Sequence, residues 1–252
     1  MKTVRKRWLI DLGNSRLKCA LLDAQGRRGE ILAIGHDQPN ALPMLMQHFG
    51  VAGSSDELWL ASVASTERTA VLVAALEQHG LRVHRVQTQS EFGKLRIAYA
   101  EPANLGVDRF LAMVAASERD DGPWLLVSAG SALTIDLLAE DGRHLGGSIA
   151  PMPARMRAAL AAGFKQLDLA EGQATDFAAD TADAIASGCR GAALGLVERS
   201  LRKARERLGT IPTLLVGGGG ATLLADVEYA PVMHLPALVV DGLAIYVHAQ
   251  ER

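Results

Sequence analysis

One pattern is written twice in this chain. Trp8 to Asp23 reads WLIDLGNSRLKCALLD, and Trp124 to Glu140 reads WLLVSAGSALTIDLLAE. Each copy is an apolar run, a small polar loop around a glycine, a second apolar run and a turn. Aligning them sets Asp11 on Ser128, Gly13 on Gly130, Asn14 on Ser131 and Leu21 on Leu138. Both then reach a Gly-Arg turn, Gly26-Arg27 and Gly142-Arg143, one residue out of step. An internal repeat constrains architecture before any other feature does. It predicts two similar domains, 1–119 and 120–252, facing each other, each with a tight hairpin loop. Two such loops on one cleft can grip a polyphosphate.

Composition narrows the classes. The 252 residues carry 49% hydrophobic and 21% charged side chains, an ordinary globular balance with enough apolar material for two cores. A net charge of -2, without a basic block beyond the first residues, argues against a nucleic-acid surface. The basic start, MKTVRKRW, is followed only by Leu9 and Ile10 before Asp11, too little for a signal-peptide core. No stretch approaches the ~20 apolar residues of a membrane span. Cys19 and Cys189 make no metal or disulfide pattern, and buried thiols are expected. A soluble, cytoplasmic protein is the expectation.

Element order follows from periodicity. Residues 7–12, 16–23 and 29–35 read as an antiparallel meander. A helix after Pro39, a strand around Leu58–Val63, a helix over Thr66–His79 and a strand over Leu81–Val86 add a β-α-β unit, hence parallel neighbours. The second half repeats the order: strands near 124–128, 132–139 and 143–149, helices near 152–163 and 180–207, a strand at 212–216, a helix near 220–226, a strand near 231–234 and a last helix at 237–250. The segment 90–105 reads as a Gly/Pro-punctuated loop. The layout is mixed α/β. It resembles the ribonuclease H-like fold, duplicated as in the actin, hexokinase and acetate kinase superfamily, with mixed sheets flanked by helices.

Two segments carry candidate chemistry. In Asp11-Leu12-Gly13-Asn14-Ser15-Arg16-Leu17-Lys18, an aspartate closing an apolar strand is costly unless partnered, and a cation would partner it. Gly13 lets the backbone approach a ligand, and Lys18 is a point charge for phosphate. The same residues also suit an ordinary hairpin. In Gly106-Val107-Asp108-Arg109, at a helix start, Asp108 reads either as a helix cap or as a proton acceptor for a substrate hydroxyl. Arg109 is suited to bidentate binding of a substrate carboxylate. Gly217 to Gly220 lies at a strand–helix junction and suits close approach of a nucleotide. Gly188, Gly191, Ala192 and Gly195 give the long helix a small-residue face, for a dimer contact or for packing within the chain. The seven histidines show no ligand spacing.

These motifs together resemble those of type III pantothenate kinases. Asp11-x-Gly13-Asn14-Ser15-x-x-Lys18 is similar to that family's first phosphate motif. Tyr99, Pro102 and Gly106-x-Asp108-Arg109 resemble its pantothenate motif, and Gly130-Ser131-Ala132-x-Thr134-x-Asp136 its second phosphate motif. Gly146-Gly147-x-Ile149-x-Pro151, Asp180-Thr181, Gly217-Gly218 and Asp241-Gly242-Leu243 resemble further family motifs, in the family's order. The resemblance implies ATP-dependent phosphorylation of pantothenate, the first step of coenzyme A synthesis, with magnesium, a monovalent cation (potassium or ammonium) and a homodimer built on the long helix. It implies Asp108 as general base. Tyr99, Gly106, Val107, Arg109 and Thr181 become pantothenate contacts, Thr181 from across the dimer. Asp11 to Lys18, Ser131, Gly217 and Gly218 become ATP contacts, with Asp11 also serving magnesium.

Two positions depart from the family. Ser128 stands where the family usually has the aspartate of its monovalent-cation site, so the site loses a negative charge and weak or absent cation dependence is expected. Met152 stands where the family commonly has glycine. The rival readings are a sugar or acetate-type kinase of the same superfamily, and a catalytically silent homologue that binds nucleotide or pantothenate in a regulatory role.

Overall fold

Alternation along two short strands starts the first sheet. β1 (Arg7–Leu12) and β2 (Arg16–Leu22) turn Trp8, Ile10, Leu12, Leu17 and Cys19 to one side, where they form a single buried cluster. β3 (Leu32–Gly35), α1 (Ala41–Phe49), β4 (Glu57–Ser62), α2 (Thr66–Gln78) and β5 (Arg82–Arg85) follow. The sheet order is β3-β2-β1-β4-β5. β1, β2 and β3 pair antiparallel, whereas β4 pairs parallel with both β1 and β5. Leu45 and Phe49 of α1 and Leu72 and Leu76 of α2 complete the cluster on that face. Ser65 caps α2 by accepting the Arg68 amide, which satisfies one of the orphan donors of its first turn. The computed structural model describes residues 5–50, 53, 56–119, 122–164, 171–224 and 230–250.

The segment 90–105, expected as a loop, carries regular structure. β6 (Glu91–Phe92) and β7 (Leu95–Arg96) form a small hairpin, and Pro102–Asn104 is one 3-10 turn. Strands of two residues fall below the length at which alternation is readable. α3 (Val107–Ser117) comes next and is buried along most of its length.

The second sheet repeats the first. β8 (Trp124–Ala129), β9 (Ala132–Leu138), β10 (His144–Pro151), β11 (Thr213–Gly217) and β12 (Val232–His234) stand in the order β10-β9-β8-β11-β12, with the same antiparallel and parallel pairings. α4 (Pro153–Gly163) packs on α5 (Thr181–Leu208). Ala193, Val197, Leu201 and Ala204 of α5 bury Leu125, Val127, Leu133 and Ile135. The helix expected near 220–226 is a single 3-10 turn, Ala221–Leu224; positions 225 and 226 lie outside the described residues, as do the basic residues 1–4.

Strand register locates the slip in the repeat. Asp11 pairs with Lys18 and Leu12 with Leu17; Ser128 pairs with Thr134 and Ala129 with Leu133. The second loop is therefore one residue shorter. The Gly-Arg turns fall out of step for that reason, and Leu22 rather than Leu21 is the counterpart of Leu138.

The last helix corrects the expected boundary. α6 (Leu238–Ala249) packs on α3 and also contacts β1, β2 and β4. The two compact units are Met1–Arg119 with Ala237–Arg252, and Asp120–Pro236. The reason is steric and apolar: an added Cβ at Gly242 would sit 1.9 Å from the Leu111 carbonyl oxygen, so α6 crosses α3 at backbone contact. Leu238, Val240, Leu243 and Val247 are buried there. Since α1 and α2 fill one face of the first sheet, α3 and α6 take the other, beside Leu9, Asp11 and Ala61.

Candidate active site

The first hairpin brings Asp11 and Lys18 side by side at the end of β1. Asp11 is largely withdrawn from water, and burial pushes its carboxyl up to about 6, with Lys18 opposing the shift and Asp108 adding to it. The sheet and the start of α3 thus place two carboxylates and an ammonium within electrostatic reach of one another. Leu12 and Leu17 turn their side chains into the core, so only their backbone remains for a ligand. Asn14, Ser15 and Arg16 are exposed at the tip. Gly13 closes the turn by donating to the Arg16 carbonyl, 3.0 Å away.

Helix α3 begins two residues earlier than a cap at Asp108 would require. Gly106 occupies the cap position and Asp108 lies in the first turn, its Oδ1 accepting the Arg109 amide at 2.8 Å. A side chain at position 106 would meet that same oxygen at 2.6 Å. Glycine there leaves the space in which the Asp108 carboxylate folds back. Arg109 is buried, donates from Nη1 to the Tyr99 hydroxyl at 3.2 Å, and stands 5.8 Å from the Tyr99 ring centroid. Tyr99, Gly106, Val107, Asp108 and Arg109 therefore share one end of α3.

In the second unit, Gly217 pairs with Ser128 across β8 and β11. The Gly220 amide donates to the Ala129 carbonyl at 2.8 Å, directly before the Gly130-Ser131 loop. Gly218 has φ +89 and a Cβ there would sit 2.4 Å from the same carbonyl, so position 218 requires glycine on both counts. Ser128, Ser131, Gly217 and Gly218 are thus neighbours. Met152 enters this group from below, its Cε 2.8 Å from where a Gly220 side chain would begin. Asp136, by contrast, is buried against His144, with Nε2 at 3.0 Å from Oδ1, and serves the interior of the sheet. Thr181 opens α5 beside its cap Asp180, which accepts the Asp183 amide. It lines a groove of about 960 Å³ with Pro151, Met156, Leu160, Ile185 and Cys189.

Both cysteines are buried, and burial pushes the Cys19 thiol up to about 12, which leaves it unreactive. Among the described residues, no cluster of three or more His, Cys, Asp or Glu side chains could hold a metal, and no helix is long and apolar enough to cross a membrane. Two residues that sequence patterns did not mark also reach the first hairpin: His36 and Arg68 bond its carbonyls.

A family model for type III pantothenate kinase matches residues 8–203, a span that contains both carboxylates, Tyr99, Arg109 and Thr181. This chain belongs to the type III pantothenate kinase family. A family member from Stenotrophomonas maltophilia (strain K279a) is 45% identical over 244 residues, 94% of this chain and 95% of its own. Another, from Xanthomonas euvesicatoria pv. vesicatoria (strain 85-10), is 44% identical over 246 residues, 96% and 97% of the two chains. Similar folds occur in a Baf-family protein from Campylobacter jejuni (TM-score 0.62, 18% identity, 97% and 98% coverage) and in acetate kinase from Porphyromonas gingivalis (TM-score 0.51, 12% identity, 98% and 99% coverage). At those identities the likeness concerns the fold, which is the duplicated actin-like arrangement.

Proposed function

We propose that this family member transfers the γ-phosphoryl group of ATP to the primary hydroxyl of pantothenate, giving ADP and 4'-phosphopantothenate. The observation that carries the reading is the end of α3: Asp108 held over Gly106 beside a buried Arg109 bonded to Tyr99, within electrostatic reach of Asp11. Arg109 and Tyr99 bind the pantothenate carboxylate, with Gly106 and Val107 lining the approach and Thr181 contributing from a second copy. Asp108 accepts the hydroxyl proton as the oxygen attacks phosphorus. Lys18 and the exposed tip of the first hairpin bind phosphate, and Ser131, Gly217 and Gly218 serve as nucleotide contacts. The protein's part is positioning and charge neutralisation.

Asp11 fits a divalent cation. A carboxylate burdened by burial and by a like charge gains most from a hard cation, and magnesium is ordinarily held by one or two carboxylates plus substrate phosphates. Magnesium, when bound, would neutralise phosphate charge at that point. Ser128 fits a monovalent cation poorly, because a neutral hydroxyl replaces a full charge worth several kcal/mol at ~3 Å even with an effective dielectric of ~20.

A homodimer in the cytoplasm completes the proposal. Side chains added at Gly188, Gly191 or Gly195 would meet nothing within 4 Å among the described residues, which supports a second chain rather than internal packing as the reason for the small face. Incubation with ATP, magnesium and pantothenate, followed by mass spectrometry, tests the reaction. A product heavier by one phosphoryl group supports it; phosphorylation of glucose or acetate instead would favour the superfamily rivals.

A further inference from the structure

We propose that His36 and Arg68 are positioning residues for the first phosphate loop, an assignment that rests on the kinase reading above. The tip of the β1–β2 hairpin presents three consecutive carbonyls, those of Gly13, Asn14 and Ser15. Carbonyls at an exposed turn ordinarily bond water. Here each is held by protein. His36 Nε2 lies 2.8 Å from the Gly13 oxygen, the His36 amide donates to the Ser15 oxygen at 3.0 Å, and Arg68 Nη1 donates to the Asn14 oxygen at 3.2 Å.

The two side-chain donors come from one side. Arg68 stands in the first turn of α2, whose Leu72 and Leu76 fill the core on one face of the sheet. His36 follows β3 directly, on the segment that leads into α1, which packs on that same face. A trans peptide is planar and carries its N–H opposite its C=O. The Ser15 carbonyl is held along the sheet by the His36 backbone, whereas drawing the carbonyls of Gly13 and Asn14 toward α1 and α2 turns the amides of Asn14 and Ser15 the other way. Strand alternation puts Asp11 and Lys18 on that other face, because Ile10, Leu12, Leu17 and Cys19 fill the α1/α2 face. Successive amides aimed to one side make an anion-binding concavity, here next to a lysine and to the carboxylate suited to a cation. A glycine-led tip has no such preference by itself, so the clamp supplies it.

Calorimetric titration of the full-length chain with magnesium ATP, paired with the separate KM values for ATP and pantothenate, tests the assignment. His36→Leu and Arg68→Met are each expected to weaken nucleotide binding roughly fivefold, the worth of one hydrogen bond, with the pantothenate KM unchanged. His36→Gln, which keeps a donor near the Nε2 position, is expected to restore most of the loss. Unchanged nucleotide affinity in both variants would overturn the assignment, as would an equal loss for ATP and pantothenate. Arg68 is exposed, so its variant keeps the test open where a half-buried His36 variant folds poorly. An unaltered chain that binds magnesium ATP but phosphorylates no pantothenate would sink the kinase reading and leave the clamp standing. Normal turnover with indifferent variants would sink the clamp alone.

Discussion

The Asp108 carboxylate adds to a pKa rise at Asp11 that burial produces and that Lys18 opposes. The two residues stand far apart in sequence, on β1 and α3, yet each feels the other's charge; Lys18 outweighs Asp108, and it is burial that keeps the Asp11 carboxyl raised. Such a pair is unfavourable in an empty fold and favourable once a cation or a phosphate-bound cation arrives. It marks the point where the structure gives up stability for chemistry.

That cost has a pH signature. In the fold Asp11 keeps its proton up to about 6, against an ordinary value of 3.8. Ionising it therefore costs stability as pH rises from about 4 to about 6, and the full cost, on the order of 2–3 kcal/mol, is present above that window. Asp11→Asn is expected to raise the Tm at pH 7.5, with the difference closing by pH 4, while turnover is lost. Thermal denaturation at the two pH values checks it; an Asn variant less stable than the parent at pH 7.5 would contradict it.

Asp108→Asn is expected to lower turnover by ~10²–10⁴-fold, the usual worth of a general base, with nucleotide still bound. Removing its charge also lets Asp11 ionise more readily, so the acid limb of nucleotide binding is expected at lower pH. Steady-state rates and calorimetry across pH 5 to 8 measure both; an undiminished rate ends the base assignment.

Ser128 leads to a third expectation. Turnover in sodium buffer is expected to match turnover in potassium or ammonium. Ser128→Asp is expected to create potassium stimulation. A parent enzyme active only with potassium would refute the argument from charge.

The α3–α6 crossing supplies a test of the fold alone. Gly242→Ala pushes a methyl group into the Leu111 carbonyl, a backbone atom that cannot swing aside. A loss of about 1–3 kcal/mol or more in urea denaturation is expected.

Much of this was legible from local patterns. The repeat forecast matching sheets because alternation and turn glycines are short-range signals, and the one-residue slip at the Gly-Arg turns foreshadowed the shorter second loop. Asp11, Asp108 and Arg109 stood out because charged groups at element ends are costly without a purpose. Long-range packing was not legible. The partner of α6 depends on Gly242 meeting Leu111, and nothing in the order of elements announces that a last helix returns to the first unit. His36 and Arg68 lie 23 and 54 residues from the carbonyls they hold, so no motif window contains them. The hairpin at 91–96 was too short to read by periodicity.

The measurement that bears most directly on the account is ADP release from magnesium ATP by the unaltered chain, with and without pantothenate, in sodium buffer. Turnover that depends on pantothenate and saturates with it is expected. ATP that stays intact with pantothenate present, in sodium and equally in potassium, would contradict it.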